Sequence, residues 1–105
     1  MALFKRVHLQ LVLEGRKTQT RRTHKRMWKV SRAYAIRDRW FTKPEGRILI
    51  LRRFKQHLGD ISKEDVEKEG YMSMEEFRKA WATIYGKWNS DQIVTVYEFK
   101  LQQGS

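Results

Sequence analysis

A four-residue apolar run, Ile48-Leu49-Ile50-Leu51, lies near the middle of this 105-residue chain. Its length and composition predict a buried strand over residues 47–54. Residues 33–41 alternate as a second strand would, and Pro44 and Gly46 indicate a turn between the two segments. The middle of the chain is therefore predicted to form a β-hairpin.

Periodic spacing of apolar residues predicts the remaining elements on either side of this hairpin. Turn and capping residues bound them, with Gly15 placed to end the first helix. They are a helix, a strand, two helices and a strand: residues 3–14, 18–22, 62–69, 74–85 and 93–101. This order predicts a single α+β domain over residues 1–105 with a mainly antiparallel sheet, and short basic strands would suit closure into a small barrel.

Composition excludes several classes of protein. Because the chain has no cysteine, it cannot hold a disulfide, a Cys-ligated zinc ion or a thiol nucleophile. The three histidines show no metal-ligand spacing, and no apolar run reaches the roughly 18–20 residues that span a bilayer. We therefore expect a cytoplasmic monomer that uses no metal or cofactor and does not associate with a membrane.

The net charge of +11 is unevenly distributed along the chain. Residues 1–58 hold 17 Lys or Arg against three acids, a balance of +14, whereas residues 59–105 hold 6 against 9, a balance of −3. A lysine-rich surface that serves solubility would instead mix bases with acids throughout. The asymmetry favours a polyanionic partner, namely nucleic acid.

The densest polar segment, residues 15–22, reads Gly-Arg-Lys-Thr-Gln-Thr-Arg-Arg. As a strand it would place Thr18, Thr20 and Arg22 on one face, and Gln19 and Arg21 on the other. A core strand does not normally carry cations on both faces, so we interpret this segment as the lining of a basic site.

Residues 23–32 continue the basic stretch, and we interpret them as an exposed loop. Cations interleaved with Trp28 suit single-stranded nucleic acid, although Trp28 is equally compatible with a core or lid position. The candidate nucleic-acid contacts are Arg16, Arg21, Arg22, Lys25, Arg26, Trp28, Lys29 and Arg37. Among them Arg21 and Arg22 are the best candidates for phosphate, because a guanidinium stays charged and binds it in a bidentate fork.

Motifs spread over nearly the whole chain resemble those of an ASCH domain. They are Gly15-Arg16-Lys17-Thr18-x-Thr20-x-Arg22, Tyr34-x-Ile36-Arg37-Asp38-x-Trp40, Glu69-Gly70 with Ser73-x-Glu75-Glu76-Phe77, and Val94-x-Val96-Tyr97-x-Phe99. The resemblance implies a PUA-like fold, which is a small β-barrel flanked by helices, with a cleft suited to RNA.

The chain is also similar to a small bacterial ASCH branch that removes acetate from N4-acetylcytidine with a lysine, a threonine and a glutamate. At the matching positions these catalytic residues would be Lys17, Thr20 and Glu69. Other ASCH members are regarded as RNA-binding, and one branch as a ribonuclease. The density of arginines around Thr20 favours RNA, or a modified nucleoside within it, as the partner, with the amidohydrolase as the alternative and the ribonuclease as a weaker one.

The three candidate catalytic residues admit several roles. Lys17 is a base only if burial or nearby cations lower its pKa, and otherwise a donor. Thr20 is either a nucleophile or a hydrogen-bond partner of an attacking water, while Glu69 orients Lys17 or binds the substrate amine. The purely structural alternative is an ion pair between Lys17 and Glu69 that holds a helix against the barrel.

Overall fold

The structure, a computed structural model, describes residues 1–23 and 27–102. Within them the chain is α+β, as expected from the sequence. The elements in chain order are β1 (Ala2–Leu3), α1 (Arg6–Leu13), β2 (Gln19–Arg22), β3 (Ala33–Arg37), β4 (Arg47–His57), a 3-10 turn (Leu58–Asp60), α2 (Lys63–Lys68), α3 (Met74–Tyr85) and β5 (Ile93–Gln102). None of the described helices is long and apolar enough to cross a membrane.

The five strands form one mixed sheet in the order β1-β3-β4-β5-β2. β1 runs parallel to β3, and the other pairs are antiparallel. The expectation of a closed barrel was wrong, because the edge strands β1 and β2 form no ladder with each other in the described part of the chain. Instead the Arg22 guanidinium crosses the gap, and Nη2 donates to the Leu3 carbonyl at 2.9 Å. Strands joined through a long side chain lie farther apart than the roughly 4.8 Å of a backbone ladder.

Both faces of the sheet are covered, which is clearest at the interior strand β5. Tyr97 and Phe99 pack on one face with residues of β1, α1 and β4. Val94 and Val96 point to the other face and pack with α2 and α3. Alternate residues of β5 thus enter two separate cores, which explains why Val94 to Tyr97 form a continuous buried run.

Several predicted element bounds differ from those observed. The first helix begins at Arg6 rather than at residue 3, because Ala2–Leu3 pairs with β3. The strand predicted over residues 33–41 ends at Arg37, and β4 extends to His57 because β5 pairs with it along that length.

The segment interpreted as an exposed loop holds a core residue. Trp28 is buried and packs against Tyr97 and Tyr34, with ring centroids 4.8 and 5.9 Å away. Of the two positions considered for this indole, the structure therefore shows the core position.

The ends of α2 determine where the site forms. The N-cap of the helix is Ser62, whose hydroxyl accepts the Asp65 N–H at 3.0 Å. Its C-cap is Glu69, and Gly70 follows in the left-handed region with φ +101°. A Cβ at Gly70 would lie 2.9 Å from Leu11 Cδ1, so a larger residue there would have to displace this side chain of α1 as well as adopt a backbone conformation that favours glycine.

Candidate functional site

A cavity of about 180 Å³ opens at the free edge of β2, between α1 and α3. Lys17, Thr20 and Glu69, predicted as a catalytic set from the resemblance, all line it. So do Arg21 and Arg22. The structure therefore places these five residues of the polar segment and of the end of α2 around one space.

Backbone contacts bring the two ends of the site together. The Lys17 N–H donates to the Leu11 carbonyl at 3.1 Å, which holds the turn after α1. The next N–H, of Thr18, donates to the Lys68 carbonyl at 2.8 Å, which ties the start of β2 to the end of α2. Lys17 consequently lies beside Glu69, 52 positions later in the chain.

The Glu69 carboxylate is held between two buried cations. Oε1 lies 3.1 Å from Lys17 Nζ, and Oε2 lies 3.0 Å from Arg21 Nη1. The side chains of Lys17, Glu69 and Arg21 are 4%, 5% and 0% exposed. Charge-assisted bonds in such a dry setting orient the carboxylate firmly, and Arg21 has a second acidic partner in Asp65, at 3.5 Å.

Burial lowers the pKa of Lys17 below its ordinary value, because the charged ammonium has lost its hydration. Glu69 opposes this effect, whereas the Arg22 and Arg21 cations add to it. Lys17 therefore gives up its proton more readily than an exposed lysine does.

Arg22 links the wall of the cavity to the open edge of the sheet. Its Nε donates to Thr20 Oγ1 at 3.0 Å, and its guanidinium lies over the Phe4 and Trp28 rings at 4.8 and 5.1 Å. Burial lowers its pKa, but a guanidinium remains charged at any physiological pH. The Thr20 hydroxyl thus sits against a fixed cation.

Arg21 points to the opposite face of β2 from Arg22, as the strand alternation predicts. It bonds Gln56 Oε1 through Nε at 3.1 Å and Nη2 at 2.9 Å, and Gln19 Oε1 through Nη1 at 2.9 Å. With no exposed side-chain surface, Arg21 holds Glu69 from beneath the cavity.

Several aromatic and imidazole groups line the same cavity, although the sequence interpretation gave them no role in the site. His8 and Tyr71 face each other with ring centroids 5.0 Å apart. Burial, with the Lys17 cation adding to it, lowers the pKa of His8 to about 4, so the imidazole is neutral at physiological pH. Burial also raises the pKa of Tyr71 to about 12. Trp81 lines the cavity too, and its Nε1 has no partner among the described residues.

One sequence signal could have found Tyr71, because it follows Glu69 by two positions. For His8 and Trp81 no such signal exists. Their helical spacing is that of ordinary core and surface residues.

The other predicted nucleic-acid contacts do not line this cavity. Arg16 and Lys29 are exposed, Arg37 is half-buried and Trp28 is buried. Two further candidates lie outside the described residues: Lys25 and Arg26. The described part of the chain also holds no group of three or more His, Asp or Glu that could hold a metal ion.

No family model matches the sequence, and no curated protein resembles it significantly. The structure does have counterparts. It superposes on an ASCH domain from Lactobacillus crispatus with a TM-score of 0.79 at 19% identity, covering 90% of this chain and 70% of that one. The chain has the fold of an ASCH domain. The expectation drawn from the sequence motifs is thereby confirmed for the fold.

A second structure with this ASCH-like architecture comes from Enterococcus faecalis and carries the family label DUF984. The TM-score is 0.69 at 20% identity, and the match covers 93% of this chain and 68% of that one. At these identities the likeness concerns the fold alone.

Proposed function

We propose that this chain is an ASCH-family protein that binds RNA by holding one unpaired or modified nucleobase in the cavity beside β2. The observation that carries the proposal is the Glu69 carboxylate, held by Lys17 and Arg21 in a cavity with aromatic walls. The volume, about 180 Å³, is below the roughly 300–1,000 Å³ of sites for drug-sized ligands. A single base is a ligand of suitable size.

The hydrogen-bond donors and acceptors around the cavity complement those on the edge of a nucleobase. A carboxylate has about four lone-pair sites, so Glu69 can accept from an exocyclic amine while keeping both cations. Lys17 and Trp81 Nε1 supply donors for a ring carbonyl or nitrogen. Tyr71 and Tyr85 supply aromatic surface of the kind on which unpaired bases stack.

The charge distribution supports an RNA chain rather than a free base. Residues 1–58 carry the whole positive excess, a balance of +14. Arg22 and Lys5 line the cavity and would meet the phosphates beside the bound base. ASCH domains also stand among the folds associated with RNA, which agrees with this assignment.

RNA affinity measured over a range of salt concentrations tests the proposal. We expect tight binding of a labelled single-stranded RNA at low salt and steep weakening as salt rises. Glu69→Gln should lose binding of the recognised nucleoside, whereas Glu64→Gln, an exposed acid of the same helix, should not. No RNA affinity at low salt, or an affinity that salt leaves unchanged, would contradict the proposal.

A second candidate function, amide hydrolysis of N4-acetylcytidine, is favoured by the contact between Thr20 and Arg22. The Arg22 Nε–H donates to Thr20 Oγ1 at 3.0 Å and would stabilise a developing alkoxide. Lys17, with its lowered pKa, lines the same cavity and would accept the hydroxyl proton when neutral. Attack by water with Thr20 as its hydrogen-bond partner fits these groups equally.

Incubation of the protein with N4-acetylcytidine decides this second candidate, with cytidine followed by chromatography. Turnover should exceed that of a Lys17→Ala variant, and equal rates would rule out the hydrolase. A defined RNA oligomer incubated in parallel tests ribonuclease activity, which an intact oligomer would contradict.

A further inference from the structure

Two neighbouring aromatic side chains stand in solvent at the turn between β3 and β4. Trp40 is 66% exposed and Phe41 fully exposed. Two large aromatic side chains left open side by side on a strongly charged protein indicate a candidate binding surface. We call residues 38–43 the aromatic turn.

The aromatic turn is anchored on both sides. Arg6, the first residue of α1, bonds the Glu45 carboxylate through both guanidinium nitrogens at 2.6 and 2.8 Å, and Asp38 at 3.4 Å. From the strand side, Arg37 Nη1 donates to the Trp40 carbonyl at 3.3 Å. These hydrogen bonds therefore hold the backbone of the turn that carries the two rings in place.

The charged residues that flank the two rings along the chain are mainly positive. Arg6 pairs with both acids of the turn region, Asp38 and Glu45. The exposed bases Arg39, Lys43 and Arg47 have no such acid beside them in the described residues. Exposed aromatic rings flanked along the chain by unpaired cations suit a single-stranded nucleic acid, because its bases can stack on the rings while its phosphates meet the cations.

The aromatic turn also adjoins the cavity. Leu3, which lines the cavity, pairs with Arg37, the last residue before the turn. Lys5, another lining residue, directly precedes Arg6, which braces the turn. An RNA strand with one base in the cavity would reach the aromatic turn by passing over β1.

We propose that Trp40 and Phe41 form a second binding site on which unpaired bases flanking the nucleotide in the cavity stack, with Arg39 and Lys43 contacting their phosphates. This inference rests on the proposed RNA-binding function. The site takes single-stranded RNA, because bases within a duplex are stacked on one another and present no face to the rings.

Fluorescence anisotropy with a labelled single-stranded RNA of mixed sequence tests the site. The double variant Trp40→Ala/Phe41→Ala should bind about 25-fold or more weakly, since each of the two lost stacks is worth about fivefold or more. The aromatic replacements Trp40→Phe and Phe41→Tyr should retain affinity. Met72→Ala, which removes another exposed apolar side chain outside the cavity, should have no effect.

Three results would overturn the second site. One is unchanged RNA affinity of the double variant while the wild type binds RNA, which leaves the cavity proposal standing. Another is that the double variant loses as much affinity for an RNA duplex as for the single-stranded RNA, which excludes base stacking. The third is that the double variant no longer binds anionic phospholipid vesicles, which the wild type binds, but keeps its RNA affinity. This result would assign the turn to a membrane. A wild type that binds no RNA would overturn the cavity proposal together with this one.

Discussion

Lys17 donates to Glu69 twice, to the carboxylate oxygen Oε1 at 3.1 Å and to the backbone carbonyl. Glu69 is the C-cap of α2, where helix carbonyls lack intrahelical partners and carry partial negative charge. The ammonium therefore caps the helix and pairs with its last acid at once. The same ammonium thus links the start of β2 to the end of α2 and fixes two of the side chains that line the cavity.

Glu69→Gln should lower the free energy of unfolding by about 3 kcal/mol, because it leaves the buried Lys17 cation without a counter-charge and Arg21 with Asp65 alone, at 3.5 Å. The amide nitrogen of glutamine would also face one of the cations. Urea denaturation of both proteins measures the difference.

A double-mutant cycle with Lys17→Met isolates the ion pair. We expect the double variant Lys17→Met/Glu69→Gln to lose less stability than the two single variants together, because both charges are then removed. Strict additivity would mean that Lys17 and Glu69 contribute independently.

Gly70→Ala should be more destabilising than an ordinary substitution at a helix end. The left-handed φ costs any L-residue about 1 kcal/mol, and the new Cβ would lie 2.9 Å from Leu11 Cδ1. Glu69 should shift with the backbone, so ligand affinity should fall as well.

Gly86→Ala is the matched control for Gly70→Ala, because Gly86 has φ +89° but nothing within 4 Å of the new Cβ. The excess loss at Gly70 reports the contact with α1, and Leu11→Ala should recover part of it. Equal losses in thermal unfolding at the two glycines would contradict a packing role for Gly70.

The sequence located most elements because local signals were sufficient. The helices predicted over residues 62–69 and 74–85 are capped by Ser62 and Ser73, whose hydroxyls each accept the backbone N–H three residues later. The alternation of β2 correctly separated Arg21 from Arg22. The alternation could not show which face of β2 α2 covers, and so could not tell which of the two arginines is fully buried.

Features that depend on the arrangement of distant elements were not accessible from local pattern. Ala2–Leu3 is a strand only because β3 pairs with it. Lys17 meets Glu69 through the strand order, which periodicity does not contain, and only the family resemblance joined these two residues. His8 gained its place in the cavity from helix packing, which its own spacing did not reveal.

The stability of the protein should fall as pH drops through the titration of His8. Its pKa is lowered from 6.5 to about 4 in the folded state, by burial and by Lys17. Between these values the unfolded chain binds a proton that the folded protein excludes, so acid favours unfolding. His8 therefore leaves the free energy of unfolding unchanged above about pH 6.5. As the pH falls from there to about 4, the free energy of unfolding should decrease.

Because carboxylates also titrate near the lower limit, the measurement compares wild type with His8→Gln in urea at several pH values. The difference between the two should change only within this window. An imidazole NMR signal of His8 that titrates at its ordinary value would contradict the prediction.

Arg22→Ala should change the salt dependence of RNA binding, whereas Arg21→Ala should change the stability of the protein. Arg22→Ala removes a cation that lines the cavity, so the slope of log affinity against log salt should become shallower by about one. Arg21→Ala should leave the slope unchanged and lower the stability, because its buried guanidinium holds Glu69. Anisotropy titrations at several salt concentrations, with urea denaturation, separate the two. A shallower slope for Arg21→Ala at wild-type stability would instead identify Arg21 as a phosphate contact.

For the hydrolase, the pair Thr20→Ser and Thr20→Val tests whether the hydroxyl reacts. Thr20→Ser keeps the oxygen that accepts from Arg22 Nε, so N4-acetylcytidine turnover should persist. Thr20→Val keeps the shape and removes the oxygen, so kcat should be lost while nucleoside binding remains. Steady-state kinetics by chromatography, with calorimetric binding of the nucleoside, separate the two effects. Wild-type kcat in Thr20→Val would show that water attacks the amide without help from this hydroxyl.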